Sequence, residues 1–299
     1  MEVVNPLRWH HRPELDRPRL LTAFEGWNDA GDAASGAARW LADRFGAELV
    51  ATIEAEEFFD FTATRPIVGR DDDGRRRITW PDTELWAATT GTGADLLILV
   101  GHEPHLRWQT YCRTVLEVAD ELDCSLLVTM GALLSDVPHT RPTTVSGTAD
   151  DPGLLTRLDL TTSSYEGPTG IVGVLHAACH QTERPSASLW AAVPTYVSGA
   201  PSPKATLALV ERAAALLELS VPTVDLQIAS AAYERQINEL VAADEETAAY
   251  VAGLEDAADD DPLGSADTPD ADDEGIEPLA STDPAALVEE VERYLRGDR

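Results

Sequence analysis

The sequence predicts an α/β protein: a mostly parallel sheet flanked by helices on both faces, three layers in all, with further helices closing its C-terminal side. Two observations predict it. Strand and helix patterns alternate over roughly the first 200 residues, as repeated βα units require. The apolar run Leu-Leu-Ile-Leu-Val at 96–100 is continuous rather than alternating, the mark of a strand covered on both faces.

In order, RLLTAFEG (19–26) reads as a strand, DAASGAARWLADRF (32–45) as a helix and LVATIEA (49–55) as a strand. A loop-rich insertion follows, in which GRDDDGRRR is a hairpin tip. ELWAATT (84–90) and DLLILVG (95–101) are strands. The segment 108–122 is a helix with Tyr111, Val115, Val118 and Leu122 on one side, and SLLVTMGAL (125–133) is a buried strand. A Pro/Thr/Ser/Gly-rich loop (135–153) precedes a helix at 170–181 and a last strand at 188–194. Ser202-Pro203 starts a helix with Leu207, Val210, Ala214 and Leu217 on one stripe; a second runs from about Val224 through 242. The core domain is therefore expected over 1–245, an acidic disordered linker over 246–283, and a short amphipathic helix over 284–299.

Charge narrows the function. The chain of 299 residues carries a formal −31, and 244–299 alone hold 19 acidic against three basic side chains. Nucleic-acid backbones and anionic membranes would repel such a surface. No apolar run reaches membrane-spanning length, and the N-terminus lacks a basic region followed by an apolar one, so a cytoplasmic protein is expected. Cys112, Cys124 and Cys179 have neither disulfide nor zinc spacing and read as buried, inert thiols.

Four stretches could carry chemistry, each at the end of a strand or the start of a helix. EGWNDAGDAAS (25–35) has glycines at Gly26 and Gly31, not the G-x-G-x-x-G of a dinucleotide loop. It lacks the Lys of a phosphate loop, since Lys204 is the sole lysine in the chain. Asp29 or Asp32 caps the following helix, whereas Trp27 and Asn28 are unexplained by capping. HEPHLRW (102–108) offers His102, Glu103 and His105, but not the H-E-x-x-H spacing of a zinc helix. MGALLSDVPHTRP (130–142) offers Asp136, His139 and Arg141, without a nucleophile elbow around Ser135. YEGPTGIVGVLH (165–176) leads into a helix whose N-terminus could accept an anion.

Together these stretches resemble the proteasome assembly chaperone 2 family. Gly-Trp-Asn-Asp-Ala-Gly after the first strand is similar to that family's G-W-x-[DN]-A-G hallmark; the Pro-His-Thr-Arg-Pro and Glu-Gly-Pro-Thr-Gly segments follow in the family's order, over roughly 15–245. The resemblance implies a three-layer core similar to nucleoside phosphorylases, self-association, and a non-catalytic role in binding or assembling proteasome particles. The C-terminus departs from the family's hydrophobic–Tyr–any-residue ending, because Arg293 precedes Tyr294 and Gly-Asp-Arg follows Leu295. Ligase labels carried by some relatives need phosphate-contacting cations on a glycine-rich loop, which this chain does not offer.

The resulting expectation is a protein-binding homo-oligomer with no catalytic residue, metal or cofactor, and with proteasome subunits as the implied partner. Its binding or interface candidates are Trp27, Asn28, Asp29, Gly31, Asp32, His102, Glu103, Trp108, His139, Arg141 and Glu166. The alternative is a small-molecule enzyme on the phosphorylase-like core. It requires Asn28, Asp29, His102, Glu103, His139 and Arg141 to converge on one cleft.

Overall fold

The computed structural model describes residues 5–71, 73–91 and 93–260. Eight strands form one sheet: β1 (Leu7–Trp9), β2 (Arg19–Glu25), β3 (Glu48–Ile53), β6 (Thr83–Ala88), β7 (Leu96–His102), β8 (Leu126–Ser135), β9 (Val145–Ala149) and β10 (Ser186–Pro194), in the order β1-β3-β6-β7-β2-β8-β10-β9. The centre, β7-β2-β8-β10, is parallel; the strands outside it pair antiparallel. A separate hairpin, β4 (Ile67–Arg70) with β5 (Arg76–Thr79), occupies the insertion, where the sequence expects a hairpin tip.

Alternation along the central strands builds two cores. Leu96, Ile98 and Val100 of β7 face α1 (Ala33–Arg44) and α5 (Pro203–Leu216); Leu97 and Leu99 face α2 (Trp108–Glu121) and α4 (Ile171–Gln181). Because β7 is buried on both faces, its run lacks the polar alternation of an edge strand. Small residues let α1 approach the sheet closely: Ala33, Ala34, Ala37 and Ala38 are fully buried. The three cysteines are free and buried, and burial pushes Cys112 and Cys124 up to about 12 and Cys179 up to about 11.

Two expectations need correction. The expected 135–153 loop contains β9, and α3 (Pro152–Leu158) begins at its end with Asp151 capping the Leu154 amide at 2.8 Å. β9 is a short strip of Ser, Gly and Thr on an antiparallel edge, so its sequence carries little strand pattern. The acidic linker expected from 246 begins instead with a helix, α7 (Glu245–Asp260), after α6 (Val224–Ala242). Asp244 caps α7 through the Thr247 amide at 2.9 Å, and the acids in its first turn favour the helix dipole. The rest of that linker and the 284–299 helix lie outside the described residues. No helix among the described residues is long and apolar enough to cross a membrane.

Candidate functional site

The parallel register aligns the ends of β2 and β7, setting Glu25 beside His102. The two side chains meet, Nδ1 to Oε2 at 2.8 Å, and Arg39 of α1 pairs with the same carboxylate. The His102 hydrogen bond above all, then Arg39, holds Glu25 down at about 2 despite partial burial. One residue further, the Glu103 amide donates to the Glu25 carbonyl at 2.8 Å, which turns the Glu103 side chain toward the loop after β2.

There Glu103 Oε1 accepts from Asn28 Nδ2 at 2.9 Å and from the Ile171 amide at 2.8 Å. This explains both Asn28 and the anion-ready start of α4: the anion is the protein's own carboxylate. Gly170 is required at this junction, because a Cβ there would lie 2.1 Å from Asn28 Nδ2. The Asn28 carbonyl in turn accepts from the Ala132 amide at 2.8 Å, tying the loop to β8. Asp29 is buried and caps α1, accepting from the amides of Ala34 at 2.7 Å and Ser35 at 3.1 Å. Burial raises its pKa, against the bonds from Ser35 and Ala34. Asp32 sits at the N-cap of α1 in a left-handed conformation (φ 49°) and makes no side-chain cap bond.

A second cluster lies beyond Gly31, whose carbonyl accepts from the Ser202 amide at 2.7 Å at the start of α5; Gly31 has φ 59°, and a Cβ would crowd Ser202 at 2.9 Å. Lys204, two residues on, donates to the His139 carbonyl and pairs with Glu234 at 2.7 Å. His139 is buried: its amide donates to Tyr196 Oη at 2.7 Å, and its ring lies 2.7 Å from the same hydroxyl and 3.1 Å from Asn238 Oδ1. Burial is the main cause of its lowered pKa, against the hydrogen bond to Asn238, which raises it. Arg141 grips Asp259 of α7 with two bonds, 2.8 and 2.7 Å, and reaches Glu255 at 3.5 Å. The cavity that His139 and Arg141 line holds about 70 Å³. Substrate pockets run to about 300 Å³ and more.

The enzyme alternative needs these groups in one cleft, and they are not. Asp29 caps α1, Glu103 joins Asn28 to α4, His102 pairs with Glu25, and His139 is fixed among Tyr196, Asn238 and Lys204. His105 stands apart from His102, accepting from the Asp60 amide at 3.0 Å. Trp108 begins α2, is partly buried and donates to the Pro104 carbonyl, so it orders the loop. Glu166 is exposed on the loop before α4. Among the described residues no group of three or more His, Cys, Asp or Glu side chains could hold a metal ion.

Exposed apolar side chains are left at this same edge of the sheet. Trp27, after β2, is 69% exposed, and Leu106, after β7, is 50% exposed. Leu134 at the end of β8 and Trp80 before β6 are exposed as well. Since β6 runs antiparallel to β7, its beginning lies beside the end of β7. Sequence reasoning marked Trp27 but not Leu106, Leu134 or Trp80, whose exposure depends on where the strands stop.

The fold and these polar clusters define a class: a mixed α/β protein whose strand-end loops are held by their own side chains. The PAC2 family model matches residues 23–241, and the chain belongs to that family. It is 45% identical to a PAC2 family protein from Streptomyces avermitilis, covering 78% of this chain and 99% of that one, TM-score 0.73. A proteasome-assembly chaperone homologue from Mycobacterium tuberculosis is 42% identical over 78% of this chain and 99% of that one, TM-score 0.71. An archaeal proteasome activator from Pyrococcus furiosus shares the fold at 15% identity, covering 78% of this chain and 97% of that one, TM-score 0.64. No curated protein matches.

Proposed function

We propose that this chain is a non-catalytic assembly factor that binds protein surfaces, acts as a homo-oligomer in the cytoplasm, and has proteasome subunits as its partners. Its family supports the assembly role, as does a similar Mycobacterium protein described as a proteasome-assembly chaperone homologue. One geometric observation carries the reading furthest. The polar groups at the carboxyl edge of the sheet hold loops and helix ends, while Trp27 stands largely in solvent above them. A large aromatic on a rigid, polar-rimmed loop suits an interface anchor. On this reading the phosphorylase-like core suggested by the resemblance is a frame, and the acidic C-terminal segment keeps the assembly soluble.

The test is reconstitution. Purified proteasome subunits are allowed to assemble with and without the chain, particles are counted on native gels, and the chain's own mass is measured by sedimentation. The reading expects faster or fuller assembly, a mass that is a multiple of one chain, and loss of the effect with Trp27→Ala. Assembly unchanged by the chain, or a monomer throughout, contradicts it.

A further inference from the structure

The opposite end of the sheet carries a different feature. At the amino ends of β2, β7 and β8, Arg19, Ala94 and Ser125 border a cleft of about 370 Å³. Three guanidinium-bearing residues line it: Arg17 and Arg19 from the segment entering β2, and Arg157 from α3. That volume lies within the usual range of small-ligand sites.

With 53 acidic and 22 basic residues, ion partners abound, and Arg8, Arg12, Arg39, Arg107, Arg141 and Arg184 all have one. Arg17 and Arg157 have none among the described residues; Arg44, Arg65 and Arg113 also lack one, but Arg17 and Arg157 line one cleft together. Arg19 is fixed in place, donating to the Leu217 carbonyl and lying 3.8 Å from Glu218. Two carboxylates, Asp16 and Glu218, also line the cleft, so its guanidinium groups outnumber its carboxylates.

The backbone of the walls is constrained as well. Arg17 holds φ 41°, in the left-handed region that non-glycine residues avoid, whereas Glu218 at φ 54° is the ordinary left-handed end of α5, its amide and that of Leu219 bonding back to the Ala215 and Ala214 carbonyls. Arg17 is kept there by Ser125, whose hydroxyl donates to the Arg17 carbonyl at 3.1 Å. Leu126, Leu158 and Leu216 supply an apolar wall beside the cations.

We infer that this cleft binds a small phosphorylated molecule, its phosphate held between the free guanidinium groups of Arg17 and Arg157 and its body against the leucines. Planar guanidinium forks match phosphate oxygens in bidentate pairs, which favours a phosphate over a single carboxylate. The site is independent of the proposed assembly role and lies at the far end of the strands from Trp27.

Calorimetric titration of the full chain with inorganic phosphate and with pyrophosphate tests this. Saturable binding of one anion per chain is expected, weakened roughly tenfold or more in Arg17→Gln/Arg157→Gln, because two charge-assisted contacts are lost. Both positions are exposed, and an unchanged thermal midpoint shows that the variant folds. The control Arg76→Gln/Arg77→Gln removes the same charge from the hairpin and should bind as the parent does. Three results overturn the inference: no saturable binding at millimolar anion, equal losses in both double variants, or binding of a phosphoserine peptide without binding of either inorganic anion.

Discussion

Glu103 joins three segments distant in sequence: the strand it ends, the loop bearing Asn28, and the first turn of α4. Glu103→Ala leaves the buried Asn28 amide and the Ile171 amide without their acceptor. A loss of about 2–3 kcal/mol in denaturant unfolding is expected, since hydrogen bonds to charged groups run near that value. Trp27→Ala, on an exposed side chain, should change stability by less than about 0.5 kcal/mol. Glu25 gives a pH signature. Its folded pKa of about 2 lies below the ordinary 4.5, so its stabilisation is complete above 4.5 and disappears as pH falls toward 2. Glu25→Gln should flatten that acid limb, by about 1–2 kcal/mol after allowing for solvent around Arg39 and His102. Asp29, with a raised pKa, acts in the opposite sense: its contribution falls as pH rises through its folded value. An acid limb unchanged in Glu25→Gln would remove the ion cluster from the account.

At the level of elements, α7 is the least buried of the long helices. Among its residues only Val251 is buried, and its grip on the core runs through Arg141 to Asp259 and Glu255 and through Tyr250 to Asp136 at 3.0 Å. Arg141→Ala should speed amide hydrogen exchange across 245–260 and leave β7 and β8 protected; equal exchange in both proteins would mean that the remaining contacts, Tyr250 to Asp136 among them, hold the helix without Arg141. The same element shows where the sequence was hard to read. Its acids resemble a solvated tail, and the guanidinium that selects the helix lies 118 residues away. β7 was legible because both faces are covered and the pattern is local. β9 was not, because its partner β10 comes some 40 residues later and its Ser, Gly and Thr signal little alone. At the site, Asp29 as a cap was readable from the helix it precedes. The partner of Asn28, 75 residues distant, had no local trace.

The whole molecule has two unlike ends. The carboxyl edge of the sheet is locked by its own polar side chains and topped by Trp27 and Leu106; the amino edge holds the arginine-lined cleft. Its net charge of −31 favours a basic or apolar protein surface over nucleic acid as the partner of the carboxyl edge. The central claim is that the carboxyl edge is a docking surface. Affinity capture of the tagged full-length chain from its own cell extract, beside Trp27→Ala at matched stability, tests it most directly. The account predicts that proteasome subunits are recovered with the parent and lost with the variant. Their reproducible absence from both, or equal recovery with both, contradicts it.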